Sequence, residues 1–174
     1  MKEKVVKSSR FSLIKLVAVV FVFCAANSVF AGDSLKGLLI NLKGWQGEDA
    51  QTMSMDMNGV KMTNAVRTYE KGGKTIAATI MVTSRQMGMA SFQQMSMTQG
   101  NIKIESKEIN GFKVLNTHDG NENSGSLTVL LGESQNNSAI FSMAYEGLSN
   151  KDNLSMAKKF DWKAMKKAVK KLMK

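Results

Sequence analysis

An α+β fold built on a largely antiparallel sheet is what the sequence predicts, and three observations predict it. Short runs of alternating apolar and polar residues are separated by Asn-Gly or Gly-Gly, the signature of hairpins with two-residue turns. Apolar residues at helical spacing are confined to a few stretches, two of them at the C-terminal end. Beyond residue 31 there remain 143 residues of ordinary hydrophobicity with no Pro, enough for one core that needs no disulfide.

The first 31 residues stand apart. Lys2, Lys4, Lys7, Arg10 and Lys15 form a positive n-region, residues 16–26 are apolar and uncharged, and Val29-Phe30-Ala31 supplies a small-residue cleavage pattern. The apolar run is shorter than the roughly 20 residues a membrane span needs. Residues 1–31 therefore read as a Sec-type signal peptide cleaved after Ala31, and 32–174 as a single α+β domain. The protein is expected in the periplasm or secreted, with no transmembrane anchor after cleavage. Cleavage removes Cys24, the only cysteine, and with one His left the usual zinc sites and thiol chemistry are excluded. The remaining chain carries 19 basic and 13 acidic residues, and residues 158–174 alone hold eight Lys against one Asp. The basic charge is a tail, not a general property.

Each element follows in order. Leu35, Leu38, Leu39 and Leu42 have helical spacing, predicting a short helix over 34–42. From Gln51 the period becomes two: Met53, Met55 and Met57 lead to Asn58-Gly59, and the return strand places Val60, Met62 and Val66 on one face. Arg67 and Tyr69 fall on the other. These methionines are expected to form the buried side of the hairpin, since Met fills irregular cores. Lys71-Gly72-Gly73-Lys74 turns into a third strand whose apolar side is Ile76, Ala78, Ile80 and Val82. Ser84 reads as a cap, and Met89, Phe92 and Met95 share one side of a predicted helix over 85–97. Strands follow at 102–109 and 112–118 around Asn110-Gly111, then at 126–131 and 139–145, giving about six to seven in all. Two helices close the chain: 151–160, capped by Ser149 or Asn150, and a basic amphipathic helix over 161–173, capped by Asp161.

This layout resembles the small α+β domains of the Mog1/PsbP-like type over nearly all of 32–174. The segments that carry the resemblance are 42–45 (LKGW), 67–71 (RTYEK), 108–113 (EINGFK), Tyr145-Glu146-Gly147 and Phe160-Asp161-Trp162. It implies a binding or assembly factor and no catalysis, and it carries no site residues over, because members of that fold class bind unrelated partners.

Two surfaces draw attention. Of 14 methionines, 13 lie beyond residue 31, several in Met-x-Met pairs. A thioether is a soft, neutral ligand that selects Cu(I) or Ag(I), so Met55, Met57, Met62, Met87, Met89, Met95 and Met97 are candidate metal ligands, with His118 able to add a nitrogen. Met87 and Met97 fall off the core stripe of the expected helix and are also candidates for contact with a partner. On the last helix, Trp162, Met165, Val169 and Leu172 make an apolar stripe, flanked by Lys163, Lys166, Lys167, Lys170 and Lys171. This cationic side suits an anionic envelope surface. Nucleic acid is not expected as a partner, because aromatic and basic residues are not interleaved.

Catalysis finds little support. Adjacent strand residues point to opposite faces, so His118 and Asp119 make no dyad, and no nucleophile elbow or phosphate-binding loop occurs. The expectation is an exported, non-catalytic binding or interaction protein of the bacterial cell envelope, acting on an envelope protein or an anionic surface; the alternative is a periplasmic Cu(I)/Ag(I)-binding protein.

Overall fold

A computed structural model describes residues 29–88 and 95–173. Most of the expected signal peptide lies outside these residues, as do Met89 and the middle of the expected helix over 85–97. The elements are α1 (Val29–Lys36), β1 (Gln46–Gly47), β2 (Gln51–Met57), β3 (Val60–Lys71), β4 (Lys74–Thr83), β5 (Met95–Gln99), β6 (Ile102–Ile109), β7 (Phe112–Asp119), β8 (Ser124–Glu133), β9 (Ser138–Glu146), α2 (Asn150–Ala157) and α3 (Trp162–Leu172).

The class is α+β, with a fully antiparallel sheet of nine strands among the described residues, against the six or seven expected. The additions are β1, too short to read from sequence, and β5. The order is β1-β3-β4-β9-β8-β7-β6-β5, and β2 pairs with the remaining length of β3. The turns follow from their residues. Asn58 and Gly59 both have positive φ (54° and 80°), as do Asn110 and Gly111 (53° and 78°), the geometry that matches a two-residue turn to strand twist. Asn tolerates this region and Gly enters it without steric cost.

The expected helix over 85–97 is not formed by its described residues. Ser84 and Arg85 make a bend, 86–88 are irregular, and Met95–Gln99 is an edge strand paired with Ile102–Ser106. The Met95-Ser96-Met97-Thr98 alternation has a period of two, and the Gly100-Asn101 turn feeds its backbone directly into the β6 ladder. Pairing with a neighbouring strand overrode local helical spacing. The first helix also shifts. It ends at Lys36, and Leu39 and Leu42 reach the core from the irregular segment that follows.

The helices pack on one face of the sheet. Tyr69, Phe141 and Phe160 meet there as edge-on and tilted rings at 6.2 and 4.9 Å, and Trp162 packs edge-on to Phe112 at 5.8 Å. Caps fix the C-terminal helices. Ser149 Oγ accepts from the Asp152 N–H (3.2 Å), and an Asp161 carboxylate oxygen accepts from the Ala164 N–H (2.9 Å). Trp162, Met165 and Val169 are buried, so α3 is docked on the sheet and its lysines point outward. Arg67 and Tyr69, on this same face, tie down the segment after α1. Arg67 donates to the carbonyls of Leu39 (2.7 Å) and Glu48 (2.8 Å), and the Tyr69 hydroxyl donates to that of Ile40 (2.8 Å).

Candidate functional site

Side chains alternate across a sheet, so the registers divide them between two faces. Ala65, Tyr69, Ile76, Ile80, Phe141 and Val129 face the helices and are buried. No helix of the described residues covers the opposite face. Three adjoining rows cross it: Met53–Asn64–Met81–Ile140–Leu130, then Gln51–Val66–Thr79–Ser142–Thr128–Leu115–Ser106, then Thr68–Ala77–Ala144–Ser126–Thr117–Ile104–Met97. The residues of these rows are uncharged and most of their side chains are half-buried; the exposed Lys113 and Glu108 lie on the same face beyond Leu130, on β7 and β6. Glu70, Glu146 and Asp119 lie on the same face one row further on, which gives it an acidic rim.

The hairpin methionines therefore face away from the core. Met53, Met55 and Met62 are half-buried on the open face and Met57 is 65% exposed. A period of two says which residues share a face, not which face the helices will cover. That choice is made by Ala65, Tyr69, Ile76 and Ile80 on the other side, which form the more closely packed surface.

The seven methionines read as metal ligands do not converge. Met55 stands opposite Met62, and Met57 opposite Val60, at one edge of the sheet. Met97 lies in β5 at the other edge, about seven strand spacings or roughly 34 Å away. The backbone of Met95 pairs there with Ser106. Met87 occupies a third place, after β4, where its N–H donates to Ser138 Oγ (2.9 Å) and to Glu133 Oε1 (3.1 Å). Met89 is outside the described residues. Met87 and Met97 are exposed, at 41% and 48%. The register also puts Met53 and Met81 on the open face beside Asn64, three residues absent from the expected ligand set.

His118 belongs to the helix-covered side and cannot add a nitrogen to the methionine face. Its Nδ1 is 2.9 Å from the Tyr145 hydroxyl, and the rings stack at 6.1 Å across Gly125, which separates them on β8. Burial pushes the Tyr145 hydroxyl up to about 12, opposed in part by the Asn153 side chain. Beside it, Asn153 Nδ2 donates to Asn116 Oδ1 and Asn116 Nδ2 donates to Asn150 Oδ1, both at 2.7 Å, fastening α2 to β7. Asp119 instead accepts from the Asn121 and Glu122 N–H groups of its own turn. The described residues contain no group of three or more His, Cys, Asp or Glu that could hold a metal ion.

On α3, Lys163, Lys166, Lys167, Lys170 and Lys171 are exposed, and Lys166 Nζ lies 5.5 Å from the centre of the Phe112 ring. No helix of the described residues is long and apolar enough to cross a membrane. The molecule thus presents a face of mixed apolar and uncharged polar residues on one side of the sheet and a cationic helix on the other. Comparison with protein-family models, curated proteins and solved structures finds no match.

Proposed function

We propose that the protein is an exported, non-catalytic binding protein of the bacterial cell envelope, and that the open face of its sheet is its principal contact surface. One observation carries this reading: three uncharged rows rich in Met, Val, Leu, Ile, Thr and Ser lie opposite the helices, with no helix of the described residues over them. From strand spacing and rise, the face measures roughly 34 Å by 20 Å, on the order of 600–700 Å², somewhat less than the ~800 Å² each partner buries in a standard interface. The resemblance to Mog1/PsbP-like domains points the same way. The partner is an envelope protein whose surface matches this mixture of apolar and hydroxyl side chains.

A photo-crosslinking residue at Thr128 or Ser142, whose hydroxyls lie 3.4 Å apart near the centre of the face, tests this in producing cells. A discrete crosslinked envelope protein is expected from these positions and not from Lys158, which is exposed beside the C-terminal helices. No adduct at the face, or the same adducts at Lys158, sinks the reading.

The exposed lysines of α3 supply a second contact, to an anionic surface. Replacing Lys166, Lys167, Lys170 and Lys171 by Gln is expected to abolish sedimentation with anionic vesicles at low salt. The fold should persist, because the buried stripe that docks α3 is untouched. Binding that survives both this change and high salt would rule the lysines out.

A further inference from the structure

Asn64 is the odd residue on the open face. It is 2% exposed, yet its Oδ1 has no hydrogen-bond partner. The register explains both. Met53 and Met81 flank it across β2 and β4, Met62 precedes it on its own side of β3, and Met55 lies diagonally beyond. Cross-strand neighbours have Cβ atoms about 4.5–5.5 Å apart, so Met53, Met55 and Met62 stand within reach of one ion beside Asn64, whereas Met81 is two strand spacings, roughly 10 Å, from Met53. Thioether sulfurs accept but do not donate, so none of these methionines satisfies the amide oxygen. A buried acceptor among acceptors is complementary to a cation.

We propose that Met53, Met55 and Met62 bind a soft monovalent cation, Cu(I) or Ag(I), through their sulfurs, with Asn64 Oδ1 as a weak additional donor. The chemistry selects this class. Neutral thioethers favour soft ions, need no deprotonation, and discriminate against Mg²⁺, Ca²⁺ and Zn²⁺, which prefer oxygen, imidazole or thiolate. The site draws on two paired strands, β2 and β3, so it depends on their register in the folded protein. It stands independently of the partner-binding reading, whose test involves no metal.

The experiment is an anaerobic titration of the purified protein with Cu(I) against a competing chelator, repeated with Ag(I). One equivalent is expected to bind. The Met55→Leu/Met62→Leu and Met53→Leu variants should each weaken binding more than about tenfold, a change of about 1.4 kcal/mol. The three changes together should abolish it. Leu preserves volume closely enough for the fold to persist, which circular dichroism checks. Met87→Leu/Met97→Leu should bind like the unaltered protein. Asn64→Leu should weaken binding while raising the thermal midpoint of the metal-free protein, because it removes the orphaned acceptor. Methyl resonances of ¹³C-labelled methionine give a readout without substitutions: Ag(I) should shift those of Met53, Met55 and Met62 first. Absence of binding, retention in the threefold variant, or loss on changing Met87 and Met97 overturns the assignment. Unchanged affinity in Asn64→Leu removes the amide from the site.

Discussion

Replacing Gly125 by Ala is expected to destabilise the protein by at least about 3 kcal/mol, or about 6–12 °C in thermal midpoint for a chain of this length. A Cβ at this position would stand 2.0 Å from the Thr117 carbonyl oxygen, 2.8 Å from the Tyr145 hydroxyl and 3.0 Å from His118 Cα. Two of these atoms are backbone of the paired strand, so no rotamer change relieves the contact. β7 and β8 must move apart, disrupting the Thr117–Ser126 and His118–Gly125 pairings and the His118–Tyr145 hydrogen bond. Gly120→Ala is the control. A Cβ there meets only the Asn101 carbonyl at 3.6 Å, an ordinary contact, and the change should stay within about 0.5 kcal/mol. Calorimetry of both variants decides the matter: equal midpoints mean that the close approach at Gly125 is not the constraint described.

The second large effect is alkaline. Tyr69 and Tyr145 are the only tyrosines in the chain, both are fully buried, and burial pushes both hydroxyls up from 10.0 to about 12. At Tyr69 the nearby Arg67 opposes the shift without cancelling it. The unfolded chain releases these protons near pH 10, whereas the folded protein holds them until about pH 12. Unfolding therefore releases protons in this window. Stability is complete below about pH 10 and is lost as pH rises toward 12, on the order of 2–3 kcal/mol for each tyrosine. Ultraviolet difference titration should show flat tyrosinate absorbance up to about pH 11 in the native protein and ionisation near pH 10 in denaturant. Tyr145→Phe should leave about half of the alkaline loss in stability, the share of Tyr69. A native tyrosine that ionises near pH 10 contradicts the buried placement.

Local signals carried much of the fold. Asn58-Gly59, Asn110-Gly111 and Gly72-Gly73 mark hairpin turns because their φ angles are positive, and Ser149 and Asp161 mark helix starts because their side chains satisfy the first free N–H groups. The long strands β3, β4, β8 and β9 declare themselves by alternation. β5 did not: a five-residue run of Met, Ser, Thr and Gln has weak strand preference, and its pairing with β6 is what makes it a strand. The open face was hidden for a different reason. Whether the Met53–Met55 side or the Ala65–Tyr69 side of the hairpin is covered depends on where α1, α2 and α3 pack, and no window of the sequence contains that information.

The methionine and Asn64 cluster was closer to legible than the assignment made of it. The turns at Asn58-Gly59 and Gly72-Gly73 are both two residues long, so both registers follow by counting outward. Counting places Asn64 opposite Met53 on one side and Met81 on the other. Selecting methionines by Met-x-Met spacing instead joined Met55 to Met97, which the sheet holds at opposite edges.

β9 lies between β4 and β8 and is the strand that joins the β1–β4 half of the sheet to the β5–β8 half. In folding terms, the middle of the molecule is close to the last part of the chain to be made. Until Ser138–Glu146 is available there are two separate antiparallel stacks, each with a hydrophobic strand at its inner margin and no partner for it. Closing the gap sets Ile76 beside Tyr145, a long-range pairing of the kind that slows folding toward the millisecond-to-second range. For that interval β4 and β8 are open strand edges, the part of this chain most prone to pairing with another molecule.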